Sequence, residues 1–102
     1  NLLTRINREL GASFDESNWQ HKAFYNERDG RVEMHLFSKT DQTVQFNEDI
    51  FEFKQGDSIH TENSYKYTAD EFVQLAERAG FVSDKLWIDQ NNLFSVHLFK
   101  AV

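Results

Sequence analysis

With 102 residues, a formal charge of -6 and neither cysteine nor proline, the chain is sized for a single small domain with one modest core. Ten Phe, three Tyr and two Trp supply enough aromatic surface to exclude disorder, and the lack of Cys excludes disulfides, thiolate metal sites and a cysteine nucleophile. The basic residues Arg5, Arg8, Lys22, Arg28, Arg31 and Lys39 are dispersed among acids, which argues against a nucleic-acid partner; no apolar run approaches a membrane span or signal segment, and the cytoplasm is the expected compartment.

Leu2, Leu3, Ile6 and Leu10 recur at helical spacing with Arg5, Asn7, Arg8 and Glu9 between them. This spacing predicts an amphipathic helix over residues 2–10, closed by Gly11 at the C-cap. Ser13 or Asp15 is suited to cap a short helical turn leading to Trp19. From His21 the period changes to two, and Asp29-Gly30 is the strongest short hairpin signal in the chain. The return strand, residues 31–38, sends Val32, Met34 and Leu36 to one face and Arg31, Glu33 and His35 to the other. Short strands at 43–46 and 50–53, separated by turns, continue what reads as an antiparallel meander.

Gly56-Asp57 turns the chain into a long strand at 58–67, in which His60, Glu62, Ser64 and Lys66 alternate with Ile59, Thr61, Asn63 and Tyr65. Strict alternation makes His60 a neighbour of Glu62 on one polar face. Thr68-Ala69-Asp70-Glu71 is a capping box, and Phe72, Leu75, Ala76 and Ala79 form the apolar stripe of a helix that ends at Gly80. Strands at 82–89 and 93–100 joined through Gln90-Asn91-Asn92 complete the chain as a hairpin. The fold class is α+β: a mostly antiparallel sheet with an N-terminal helix, and a helix followed by a C-terminal strand hairpin.

Taken alone, few of these residues point to chemistry. Glu62 and Ser64, two apart on one strand, present a carboxylate and a hydroxyl to the same side, which is also the ordinary pattern of a solvated face. Met34, flanked by Val32 and Leu36, fits core packing. His21, His35, His60 and His97 fall on four separate strands without HxH or HxxxH spacing, so no metal-ligand cluster is expected. The nucleophile elbow G-x-S-x-G of serine hydrolases does not occur.

Three segments are more specific: Asn1-Leu2-Leu3-Thr4-Arg5-Ile6-Asn7-Arg8-Glu9-Leu10-Gly11, Arg31-Val32-Glu33-Met34-His35-Leu36, and Ile59-His60-Thr61-Glu62-Asn63-Ser64-Tyr65-Lys66-Tyr67. In this order they resemble the histidine-specific S-adenosylmethionine-dependent methyltransferases of ergothioneine biosynthesis. The resemblance implies that residues 1–102 form a fragment of a larger enzyme. Residues 1–64 would be the later part of its substrate-recognition region, and residues 66–102 the terminal helix and hairpin of the methyltransferase domain.

The resemblance also implies that Glu62 and Ser64, at the T-E-x-S pattern, contact the imidazole of the substrate histidine, with Met34 near that pocket. It places the family's glycine-rich cofactor loop, its acidic ribose ligand and the groups holding the substrate amine and carboxylate ahead of Asn1. No cofactor is then expected in this chain, and it would be inactive without the remainder of the methyltransferase. A chain that opens without Met inside an apolar helical pattern accords with that expectation. Methyl transfer from a sulfonium to an amine is an in-line displacement that asks the protein mainly for alignment, so recognition groups carry much of the task. The rival reading is a free-standing, non-enzymatic small-ligand-binding or assembly domain. On the fragment reading, the sheet edge left unpaired by the missing remainder leads us to expect dimerisation of the isolated chain.

Overall fold

The computed structural model describes residues 1–102 and divides them into two compact units, Asn1–Tyr65 and Lys66–Val102. The first unit opens with α1 (Leu2–Leu10), whose first turn is capped by the Asn1 side chain accepting the N–H groups of Leu3 and Thr4. Gly11 ends the helix in the left-handed region, at φ 71°, and its N–H reaches the Asn7 carbonyl. Asn7 then pins the emerging chain with both ends of its amide: Nδ2 donates to the Phe14 carbonyl at 2.7 Å and Oδ1 accepts the Phe14 N–H at 2.9 Å. Asp15 caps the short 3-10 turn Glu16–Asn18, which delivers Trp19 into the core.

Five strands follow: β1 (Trp19–Asn26), β2 (Arg31–Ser38), β3 (Gln42–Phe46), β4 (Asp49–Phe53) and β5 (Ser58–Tyr65). The first begins two residues ahead of His21. The β1–β2 connection is a four-residue loop over residues 27–30, not a two-residue Asp-Gly turn. Of these loop residues only Gly30 has positive φ, at 64°, whereas the tight turn needs it at two successive positions. The Asn26 side chain accepts the Asp29 N–H and so closes the loop locally.

The chain is α+β with antiparallel pairing throughout, but its sheet order is not sequential. The main sheet runs β1-β2-β5, while β3 and β4 pair only with each other. The buried Ser38 explains the detour. Its N–H goes to the Asp57 carbonyl and its C=O accepts from Gly56, tying the end of β2 to the approach of β5. Its hydroxyl, bonded to the Thr40 carbonyl and to Gln42 Nε2, turns the intervening hairpin away. The core of this unit is Leu3, Trp19 and Val44, against which Phe14, Leu36, Phe53 and Ile59 pack. Phe14 and Phe53 meet the Trp19 ring edge-on, at centroid distances of 5.8 and 4.9 Å.

The second unit contains α2 (Ala69–Arg78), β6 (Phe81–Ile88) and β7 (Ser95–Ala101). The capping box forms: Thr68 accepts the Glu71 N–H, and the Glu71 carboxylate accepts the Thr68 N–H at 2.8 Å. The two strands pair antiparallel with a register shift between Ser83 and Lys85. Their loop is longer than residues 90–92, because the Asp89 carboxylate gathers the N–H groups of Asn91, Leu93 and Phe94 and keeps residues 93 and 94 out of the strand. Phe72 packs against Tyr67, His97 and Phe99. No residue of this unit is buried.

Candidate functional site

The register of the three-stranded sheet brings the three expected site residues together. Met34 on β2 stands between Ala23 on β1 and Glu62 on β5, and the next row on the same face is Tyr25, Val32 and Ser64. Directly opposed residues on neighbouring strands hold their side chains side by side. Met34 and Ser64 are half-buried and Glu62 is exposed. A cavity of ≈ 300 Å³ opens beside them, lined by Asn1, Leu2, His21, Leu36, Thr61 and Glu62; Met34 and Ser64 flank it in the sheet without lining it. His21 and Thr61 are additions that the spacing of residues did not single out. His21 enters through β1, opposite Leu36 on β2.

Thr61 enters through a break in alternation. Glu62 pairs with Met34 and His60 with His35, so Thr61 is an extra residue opposite the Met34–His35 step. The shift overturns the expected placement of His60 beside Glu62. His60 instead lies on the opposite face, with its ring stacked on His35 at 4.3 Å and 19° between planes.

That opposite face carries a network absent from the sequence reading. Glu33 is only 7 % exposed. Its Oε2 accepts from Asn26 Nδ2 at 2.7 Å and Arg31 Nε at 3.0 Å, and its Oε1 lies 3.0 Å from His35 Nε2. Hydrogen bonds from Asn26, His35 and Arg31, in that order of effect, hold the Glu33 carboxyl down at about 2. Arg31 also donates to the Tyr65 hydroxyl at 2.7 Å, and Phe24 stacks on His35.

The four histidines are therefore not all separate, since ligand atoms of Glu33, His35 and His60 fall within 4.8 Å of one another. The donor set suits a hydrogen-bonded network better than a metal ion. Both carboxylate oxygens are engaged, Arg31 brings a fixed positive charge, and His60 Nε2 is bonded to Asn63 Oδ1.

Gly11, Gly30, Gly56 and Gly80 all have positive φ and occupy caps and turns. A Cβ added at Gly11, Gly56 or Gly80 would meet nothing within 4 Å, so it is the positive φ and not crowding that favours glycine at these positions. No helix is long and apolar enough to cross a membrane.

Comparison of sequences supplies the class. Residues 1–101 match the family described as histidine-specific, SAM-dependent methyltransferases, and the chain belongs to that family.

Among relatives, it is 33% identical over 100 residues to a histidine N-alpha-methyltransferase of Mycolicibacterium smegmatis, a match covering 96% of this chain and 31% of that protein. It is 33% identical over 82 residues to ergothioneine biosynthesis protein 1 of Schizosaccharomyces pombe, covering 79% of this chain and 11% of that protein. An L-tryptophan methyltransferase of Psilocybe serbica is 30% identical over 89 residues, covering 86% of this chain and 25% of that protein. The chain thus spans about a third or less of the length of these relatives.

Proposed function

We propose that this chain is the C-terminal part of a histidine N-methyltransferase and supplies the groups that recognise the substrate imidazole. The single observation that carries this reading is the pairing of Met34 with Glu62 and Val32 with Ser64 on one sheet face, beside a cavity that Glu62 lines. An imidazole has two ring nitrogens, and a carboxylate accepting from one with a hydroxyl serving the other satisfies both. Met34 adds a polarizable apolar contact for the ring. An indole has one N–H and no second nitrogen to satisfy, so a Glu–Ser pair favours histidine over the tryptophan named for one relative.

On this reading residues 1–64 belong to the recognition region and residues 66–102 close the methyltransferase sheet. S-adenosylmethionine binds elsewhere in the complete enzyme. The apolar residues exposed on both strands of the second unit, among them Val82, Leu86, Trp87, Val96 and Leu98, support its docking against further sheet.

Titration calorimetry of the complete protein tests the proposal. Glu62→Ala is expected to weaken histidine binding by about 10-fold or more, because a charged hydrogen bond contributes roughly 1.5–3 kcal/mol, and to leave S-adenosylmethionine affinity unchanged. Histidine affinity equal to that of the unaltered protein removes Glu62 from the substrate site.

A further inference from the structure

We propose that Thr61 is a positioning residue, one that locks the sheet irregularity by which Glu62 is presented to the cavity. This inference rests on the substrate-recognition reading of Glu62 given above.

In an unbroken strand, His60, Glu62 and Ser64 would share a face. Here they do not. Pairing runs Val32 with Ser64 and Met34 with Glu62, then skips Thr61 and resumes at His35 with His60. The extra residue leaves Glu62 and Ser64 on the face of Met34 while sending His60 to the face of His35 and Glu33. Thr61 and Glu62, consecutive in sequence, both line the same cavity, as expected where two residues of one strand oppose a single position on the next.

Thr61 supplies the fastening. Its Oγ1 donates to the Met34 carbonyl at 3.1 Å, a side-chain bond at the point where the backbone ladder is interrupted. The bond joins the extra residue of β5 to the residue whose side chain stands beside Glu62. On the far side, the His35–His60 stack and the 2.6 Å bond between His60 Nε2 and Asn63 Oδ1 occupy the residues on either side of the Thr61–Glu62 pair. The threonine hydroxyl is the side-chain bond that fixes the extra residue itself to the opposing strand. A slip by one residue would exchange the faces of Glu62 and its neighbours.

The test compares Thr61→Val, which keeps the branched shape and loses the donor, with Thr61→Ser, which keeps the donor, in the complete enzyme. Glu62→Gln serves as the control for the underlying reading. Thr61→Val is expected to raise the KM for histidine about fivefold, the effect of one neutral hydrogen bond, with the Kd for S-adenosylmethionine unchanged; Thr61→Ser recovers most of that loss.

If Glu62→Gln raises the histidine KM and Thr61→Val does not, the positioning role is wrong and the recognition reading stands. If neither variant changes it, the recognition reading itself fails and the positioning role falls with it. A KM in Thr61→Ser raised as far as in Thr61→Val also overturns the proposal, because the donor is then not what matters. Should Thr61→Val fail to fold, Thr61→Ala removes the same donor without a second methyl branch and is read in the same way.

Discussion

The two units solve the problem of burial differently. Asn1–Tyr65 closes a core of its own around Leu3, Trp19 and Val44 and encloses Glu33 in a full set of hydrogen-bond donors. Lys66–Val102 has a complete capping box, a paired hairpin and a ring cluster around Phe72, yet buries nothing and leaves Leu93 80% and Phe94 66% exposed. Local order and a closed core are separable. The second unit pairs its two strands with each other, yet leaves their outer edges unpaired and many of its apolar side chains exposed.

The sharpest way to break this comparison is to separate the units. Residues 1–65 alone are expected to keep a cooperative thermal transition by circular dichroism, and residues 66–102 alone to show none, since a lone hairpin with one helix falls below the size of about 40 residues at which unaided folding becomes common. A cooperative melt from 66–102 would contradict the view that it needs a partner. In the 102-residue chain the same exposed strands should drive dimer formation, and a monomeric profile in light scattering at tens of micromolar would mean that the hairpin tolerates exposure.

Within the first unit the next largest effect falls on the core. Trp19→Ala is expected to cost about 3–5 kcal/mol in denaturant unfolding, since it removes the ring on which Phe14 and Phe53 converge. A loss under 1 kcal/mol would show that the core lies elsewhere.

The smallest effect is specific to pH. The Glu33 carboxyl is held below its ordinary value of 4.5, at about 2, so the folded state favours its ionised form. Its contribution is complete above pH 4.5 and is lost as pH falls from there toward 2. Glu33→Gln should therefore lower stability at neutral pH and flatten the acid limb in that window. An acid limb unchanged in Glu33→Gln would assign the loss to other carboxylates.

Much of the local structure is legible in the sequence. Gly11 marks the end of the first helix, Thr68 and Glu71 the start of the second, and the alternation of Val32, Met34 and Leu36 assigns β2 its faces. These signals act over a few residues through hydrogen bonds and side-chain period, so the linear chain carries them. Glu62, Ser64 and Met34 were likewise marked by motif, and their strands do place them side by side.

Partnership between distant strands was not legible. That β2 chooses β5 over β3 depends on Ser38 reaching residues 56 and 57, and that His60 stacks on His35 depends on one extra residue at Thr61. A single insertion reverses every face beyond it, because the side-chain period of a strand is two and nothing in the sequence of β5 alone records where its neighbour skips. The sequence by itself determined the elements, their caps and the family. Only the tertiary structure decided which faces meet, because pairing register is a property of two strands and not of one.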